Sequence, residues 1–241
     1  MDLSIIIPAF REGHKIAHDV EAAAAFLTRH GLRGEIIVVD DGSPDDTRTA
    51  AGGVELPPGV ERQVIYYTPN RGKGYAVRTG VRASSGEFVM FADAGLCIPY
   101  AAALQGIDLI KSGRCDIAHG SRKLPTSHLV RRQRLGRRLL SWAFRRAIGL
   151  FMGVPAELTD TQCGFKVYRG DVARRLYGKC LSDGFLFDVE VLLRARKDGY
   201  RVGEFPVEWR CDLDTRLLPG RTAAWMFYEL RTIKRNLRDN P

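Results

Sequence analysis

The chain has 241 residues, 45% of them hydrophobic, and a formal net charge of +9. That is enough material for one large α/β domain with a full core, or at most two small domains. No apolar run approaches the roughly 18 residues that a membrane-spanning helix needs.

Met1-Asp2-Leu3-Ser4 runs straight into a strand-like stretch with no basic leader, so no signal peptide is expected. Strand-like and helix-like segments then alternate. LSIIIPAF precedes a helical pattern from about Gly13 to His30. GEIIVVDDGS precedes a short helix in DDTRTAA. RQVIYYT precedes a helix from about Gly72 to Ala83. GEFVMFAD precedes a helix that starts after Pro99 and runs to about Lys111, and CDIAHGSR follows. All-apolar strands alternating with amphipathic helices predict an α/β fold with a mostly parallel central sheet and helices on both faces. No repeat, low-complexity tract or linker interrupts the pattern, so a single domain over 1–241 is expected.

Three of these strands end in polar residues: Pro8-Ala9-Phe10-Arg11-Glu12, Asp40-Asp41-Gly42-Ser43, and Asp93. In open parallel sheets, ligands bind beyond the carboxyl ends of the strands, so these residues are expected to meet at one edge. Acids at strand ends are also ordinary turn formers. The chain has no Gly-x-Gly-x-x-Gly after the first strand and no Gly-x-x-x-x-Gly-Lys-Ser/Thr, which argues against a dinucleotide dehydrogenase and a P-loop nucleotidase. The Gly-rich stretch NRGKGYAVRTG, Asn70 to Gly80, opens a helix whose N–H groups, with Lys73, are placed to face an anion.

The five cysteines, Cys97, Cys115, Cys163, Cys180 and Cys211, form no Cys-x-x-Cys pair and read as reduced thiols of a cytoplasmic protein. From Ser121 to Leu150 the chain carries Arg122, Lys123, Arg131, Arg132, Arg134, Arg137, Arg138, Arg145 and Arg146 and no acid. Such a block suits a phosphate-bearing partner: nucleic acid, anionic membrane or phosphorylated substrate.

The motifs IIIPAFREGHKI, EIIVVDDGSPDDT, NRGKGYAVRTG, FADAG, GSR, DTQCGFKVYRGDVARRLY, GFLFDVEVLLRARKDGYRVGEFPVEW and DTRL occur in the order seen in family 2 glycosyltransferases. The chain most resembles the dolichyl-phosphate or polyprenyl-phosphate glucosyltransferase branch. The resemblance implies a GT-A fold with a Rossmann-like nucleotide-binding half (1–120) and an acceptor-binding half (121–241). It implies inverting transfer of a hexose, glucose first, from a UDP-sugar donor to a polyprenyl-phosphate acceptor. On this resemblance Pro8, Phe10 and Glu12 border the nucleotide, Asp40 and Asp41 meet base and ribose, and Lys73 lies beside them. Asp93 serves the diphosphate and its metal, Mg2+ or Mn2+. Arg122 approaches the acceptor phosphate, and Asp160 and Gln162 line the sugar and acceptor side with Asp188 and Glu190 nearby. Thr215-Arg216 stands where the family has Ser-Lys beside the diphosphate. Two positions depart from the family pattern: Arg11 replaces an asparagine, and Gly95 replaces the second acid of Asp-x-Asp.

The chemistry tolerates that loss in two ways. Magnesium often binds through one or two carboxylates, with phosphate oxygens and waters completing its shell. Alternatively, Arg216 and Lys73 replace the ion as fixed cations. A phosphate acceptor is already anionic and needs cations to hold it in line. A hydroxyl acceptor needs a base, for which Asp160 or Asp188 is the candidate.

Leu135, Leu139 and Trp142 repeat at helical spacing, as do Phe144, Ile148 and Phe151, between the arginines. This pattern suits a helix at an anionic membrane surface, or a core helix with solvated arginines. The last helix sets Trp225, Phe227 and Tyr228 beside Arg231, Lys234, Arg235 and Arg238. The expected location is cytoplasmic and peripheral at the inner membrane face. His14 and His18 are spaced to chelate a metal but lack a third ligand, and a solvated helix face is expected. His119 reads equally as a substrate contact or a buried structural residue, and Cys163 as a packed small residue. A catalytically degenerate nucleotide-sugar-binding scaffold and a nucleic-acid binder are the alternatives from other classes. No base-reading module is present, so no nucleic-acid partner is expected.

Overall fold

The computed structural model describes residues 1–129, 152, 158–210 and 221–239, with side chains from 229 to 238 in the last stretch. In chain order the elements are β1 (Leu3–Ala9), α1 (Ile16–Arg29), β2 (Gly34–Asp40), α2 (Thr47–Gly52), β3 (Val60–Tyr66), α3 (Lys73–Ala83), β4 (Phe88–Ala92), α4 (Ala103–Lys111), β5 (Ile117–Ser121), β6 (His128–Leu129), β7 (Phe165–Arg169), α5 (Gly170–Lys179), α6 (Phe187–Lys197), β8 (Val202–Pro206), β9 (Glu208–Trp209) and α7 (Arg221–Asp239).

The seven-stranded sheet has the order β3-β2-β1-β4-β7-β5-β8. Every neighbouring pair is parallel except those made by β7, which runs antiparallel to both β4 and β5. The expected mostly parallel sheet with helices on both faces is the observed one. β6 and β9 form a separate two-stranded ribbon.

The apolar runs are continuous because both faces of the sheet are covered. In β1, Ile5 and Ile7 join the core under α1 and α4, while Ile6 points to the opposite face, under α3, α5 and α6. In β4, Phe88, Met90 and Ala92 take the first face and Val89 and Phe91 the second. A strand alternates its side chains, so burial on both faces demands an apolar residue at every position. Helix α1 carries Ile16, Val20, Ala23, Ala24 and Leu27 at helical spacing, all buried. β3 alternates intermediate and exposed residues, as an edge strand does.

The reversal at β7 matters for the site. The parallel strands present their carboxyl ends at one edge, and an antiparallel strand between them brings its amino end to that same edge. Residues 160–164, just before Phe165, therefore lie beside Asp93, which follows β4.

Candidate active site

The loops after β1 and β2 are tied together. The Arg11 N–H donates to Ser43 Oγ at 2.8 Å, the Glu12 N–H to Thr47 Oγ1 at 2.8 Å, and the Asp41 N–H to the Ala9 carbonyl at 2.8 Å. Arg11 adopts φ 58° and stacks over the Phe10 ring, 5.3 Å from its centroid. That left-handed backbone is several-fold easier for Asn than for Arg, a difference in conformational preference of about 0.5–1 kcal/mol. Pro8 and Phe10 are half-buried beside the buried Glu12, whose Oε2 lies 3.0 Å from Lys15 Nζ.

The paired acids at the end of β2 divide their tasks. Asp40 is 1% exposed; its Oδ1 accepts the Ser43 N–H at 2.9 Å, and its Oδ2 is a buried acceptor without a partner among the described residues. Asp41 spends both oxygens on the Gly-rich loop. It accepts Asn70 Nδ2 at 2.7 Å, the Arg71 N–H at 2.8 Å and the Gly72 N–H at 2.9 Å. Asp40 thus keeps an acceptor for a ligand, whereas the Asp41 carboxylate shapes the loop that delivers Lys73.

The expected backbone anion cradle at the start of α3 is not formed. The Gly74 and Tyr75 N–H groups donate to the carbonyls of Gly184 and Asp183, each at 3.2 Å. Those of Arg71 and Gly72 are held by Asp41. Gly72 has φ 107°, and a Cβ there would also run into the Asp183 carbonyl, so only glycine fits this close approach. What the loop presents is the Lys73 side chain. Its Nζ lies 2.5 Å from Asp93 Oδ1. Burial opposes the Lys73 charge, but Asp93 and Asp188 outweigh it and hold the ammonium above its ordinary pKa.

Asp93 is anchored by its own N–H, which donates to the Gly164 carbonyl at 2.9 Å. Its carboxylate rests directly over Gly164, where a Cβ would overlap it. The glycine of DTQCGF is therefore a space requirement of Asp93. Half-buried Gln162 lies in the same turn.

A second cation stands across from this pair. The Arg122 guanidinium grips Asp160 as a fork, Nε to Oδ2 at 2.6 Å and Nη2 to Oδ1 at 2.8 Å, and its ring-side face lies 5.5 Å from the Trp209 centroid. Asp160 is held in turn by Glu204 on β8. That carboxylate accepts the Asp160 N–H at 2.9 Å, the Thr159 N–H at 2.9 and 3.0 Å, and the Thr159 hydroxyl at 2.9 Å. Burial pushes the Asp160 carboxyl up, but Arg122 more than offsets it and leaves the pKa below the ordinary carboxylate value.

Asp188 opens α6 and is 4% exposed, with Oδ1 2.9 Å from the fully buried Lys166 Nζ. Lys166 also donates to the Cys163 carbonyl at 2.7 Å. Burial raises the Asp188 pKa in spite of Lys166 and Lys73. His119 is 2% exposed, and burial, aided by Lys166, holds its pKa well below the ordinary histidine value. Its burial fits the structural reading, but the hydrogen bond expected with that reading is missing at Nδ1, which has no partner among the described residues. Burial pushes the Cys163 thiol up to about 12, which leaves it no thiolate at neutral pH. His14 and His18 are exposed, and no cluster of three metal-ligating side chains exists among the described residues. Cys97, Cys115, Cys163 and Cys180 are free thiols. Arg216, Cys211 and the basic segment from Arg131 to Arg146 lie outside the described residues, as do the Trp225, Phe227 and Tyr228 side chains.

Three supporting residues were not singled out from the sequence: Asp19, Lys166 and Glu204. Each is a charge in an otherwise apolar face, Lys166 amid FKVY and Glu204 amid VGEFP. Lys166 and Glu204 also fall within the DTQCGFKVYRGDVARRLY and GFLFDVEVLLRARKDGYRVGEFPVEW motifs, whereas Asp19 leaves no other signal.

The profile of Glycosyl transferase family 2 matches residues 4–177. The chain is 30% identical over 224 residues to the dolichyl-phosphate beta-glucosyltransferase of Saccharomyces cerevisiae, covering 86% of this chain and 66% of that protein. It is 32% identical over 222 residues to the enzyme of the same name from Drosophila melanogaster, covering 87% and 67%. The chain thus spans about two thirds of the length of these relatives. Among solved structures, the glucosyl-3-phosphoglycerate synthase of Mycobacterium tuberculosis in complex with Mn2+, uridine diphosphate and phosphoglyceric acid superimposes with a TM-score of 0.68 at 17% identity, covering 99% of this chain and 78% of the other.

Proposed function

Because the chain belongs to glycosyl transferase family 2, we propose that it transfers glucose from UDP-glucose to a polyprenyl or dolichyl phosphate, with inversion at the anomeric carbon. The names of its relatives support the sugar and the acceptor. The observation that carries the acceptor class is the pairing of both candidate bases. Asp160 is forked to Arg122, and Asp188 is buried against Lys166. A hydroxyl acceptor needs one of them free to take a proton. A phosphate monoester is already ionised and needs only a fixed cation to aim its oxygen at the anomeric carbon. Arg122, oriented by Asp160 and through it by Glu204, is that cation.

On the donor side, Pro8 and Phe10 line the nucleotide, and the spare Asp40 oxygen accepts an N–H of the base. Lys73 meets the diphosphate while keeping Asp93 as a second anion. Asp93, whose side chain is 40% exposed beside Lys73, would hold a divalent ion, Mg2+ or Mn2+, as its one protein ligand, with diphosphate oxygens and waters completing the shell. Such an ion, when bound, neutralises charge on the departing nucleoside diphosphate. Lys73 supplies a fixed positive charge to the same group.

No helix among the described residues is long and apolar enough to cross a membrane. Leu230 and Ile233 of α7 are buried against Leu186 and Val189. Among the described side chains of this helix, Arg231, Lys234, Arg235 and Arg238 are exposed and would face lipid phosphates.

The test is transfer of labelled glucose from UDP-glucose to polyprenyl phosphate in anionic vesicles, with Mn2+ or with excess EDTA. Product that needs the ion and falls with added salt is expected. Arg122→Ala is expected to lower transfer by about a hundredfold or more with UDP binding nearly intact. Loss of UDP binding in that variant would place Arg122 on the donor side, and absence of product under every condition would sink the proposed donor and acceptor.

A further inference from the structure

We propose that Asp19, on α1, is a positioning residue for Asp93: it clamps the loop that follows Asp93 and so holds that carboxylate where the diphosphate and its ion are met. The proposal rests on the role given to Asp93 above.

Asp19 is 1% exposed, and both of its oxygens are spent on backbone donors rather than on a ligand. Both of its oxygens accept the Gly95 N–H at 2.9 Å, and Oδ1 also accepts the Leu96 N–H at 3.0 Å. Gly95 and Leu96 have φ of 95° and 48°. Leu96 carries a Cβ that disfavours the left-handed region, so the loop does not take this path by its own preference. A charged acceptor gripping two successive N–H groups supplies the constraint. On its other flank the loop is held by the Asp93 N–H on the Gly164 carbonyl. Asp93 sits between these two anchors.

The same geometry explains the glycine in FADAG. An acid at position 95 would have to adopt φ 95°, which side chains rarely do. Position 95 contributes a backbone N–H, and the carboxylate at this turn comes from α1. It faces the backbone, so it orders the loop and adds no ligand for an ion.

UDP and Mn2+ serve as probes, titrated by calorimetry into the full chain with and without EDTA, and melting temperatures are recorded alongside. Asp19→Ala is expected to weaken Mn2+-dependent UDP binding about 10- to 100-fold while leaving UDP binding in EDTA nearly unchanged. Asp19→Asn is expected to fall between the two, since one amide oxygen can keep the bonds that Oδ1 makes. Asp93→Ala is the control and should abolish the metal-dependent part. Loss in Asp93→Ala with none in Asp19→Ala would overturn the clamp. So would an equal loss with and without metal together with a lower melting temperature, since that is general damage to the fold. If Asp93→Ala keeps full metal-dependent binding, the role of Asp93 falls, and the clamp with it.

Discussion

Gly164 has no side chain and still decides where Asp93 can sit. Any Cβ at 164 would occupy the space of the Asp93 carboxylate. Gly164→Ala is expected to displace Asp93 and cut metal-dependent transfer by at least about tenfold, the scale of a misplaced reacting group. Gly178, on α5, has open space around its would-be Cβ. Gly178→Ala should keep full activity and gain up to about 1 kcal/mol of stability from helix propensity. Parallel transfer assays and urea melts on the two variants check this, and a fully active Gly164→Ala enzyme would contradict the packing argument. Cys163, one position earlier, is a packing residue for the same reason of space: it is 1% exposed in the turn that Asp93 leans on.

The element that delivers Lys73 is backed by another. The connection from α5 to α6, Cys180 to Leu186, gives its carbonyls to the start of α3 and is itself held by two buried acids. Glu190 of α6 accepts the Leu181 N–H at 3.1 Å, the Ser182 N–H at 2.7 Å, and Arg194 Nε and Nη2 at 3.0 and 2.9 Å. Glu229 of α7 accepts the Ser182 hydroxyl at 2.6 Å. Arg78 adds bonds to the Cys180 carbonyl and to the Asp183 carboxylate. Removing Glu190 breaks a fully buried ion pair and strips two backbone donors of their acceptor. Glu190→Ala should therefore cost about 3–5 kcal/mol in urea unfolding. Donor KM should rise in the part that remains folded, because the seat of Lys73 loosens. A cost below about 1 kcal/mol would mean that water replaces Glu190 with ease.

At the scale of the molecule, buried titratable groups make stability depend on pH in opposite senses. Burial, opposed by the Gly95 and Leu96 N–H groups, raises the Asp19 pKa from 3.8 to about 6; Glu12 pushes the same way and Lys15 against it. Tyr100 also faces Asp19 and feels its charge. Between about pH 4 and pH 6 the folded chain holds a proton at Asp19 that the unfolded chain has released, so this group's contribution falls as pH rises. His119 acts the other way. It stays neutral when folded, and the unfolded chain takes up a proton as pH drops through 6.5, so stability falls on acidification. Comparing wild type with Asp19→Asn cancels the His119 part. Their difference in unfolding free energy should move by about 3 kcal/mol in favour of the variant between pH 4 and pH 8. A difference independent of pH would mean that Asp19 titrates normally. Ionised Asp19 is thus less favoured in the folded chain than protonated Asp19, although its oxygens grip the loop after Asp93.

The sequence by itself determined the α/β class, the alternation of β1 through β5 with their helices, and the strand ends where Asp40, Asp41 and Asp93 gather. Those are local matters: an all-apolar run with a polar end follows from burial on both faces and exposure at the edge. Lys73, Arg122 and Asp160 were legible through the motifs that contain them. Only the tertiary structure decided how these groups share their bonds. It placed β7 in reverse between β4 and β5, so that 160–164 meets Asp93. It assigned Asp41 to a loop and left Asp40 a buried oxygen without a partner among the described residues, and it turned the Gly74 and Tyr75 N–H groups toward Gly184 and Asp183. It also brought Asp19 and Glu204 to backbone donors 76 and 44 positions away. A hydrogen bond between such distant positions depends on how helices and strands pack, which no local pattern of residues encodes.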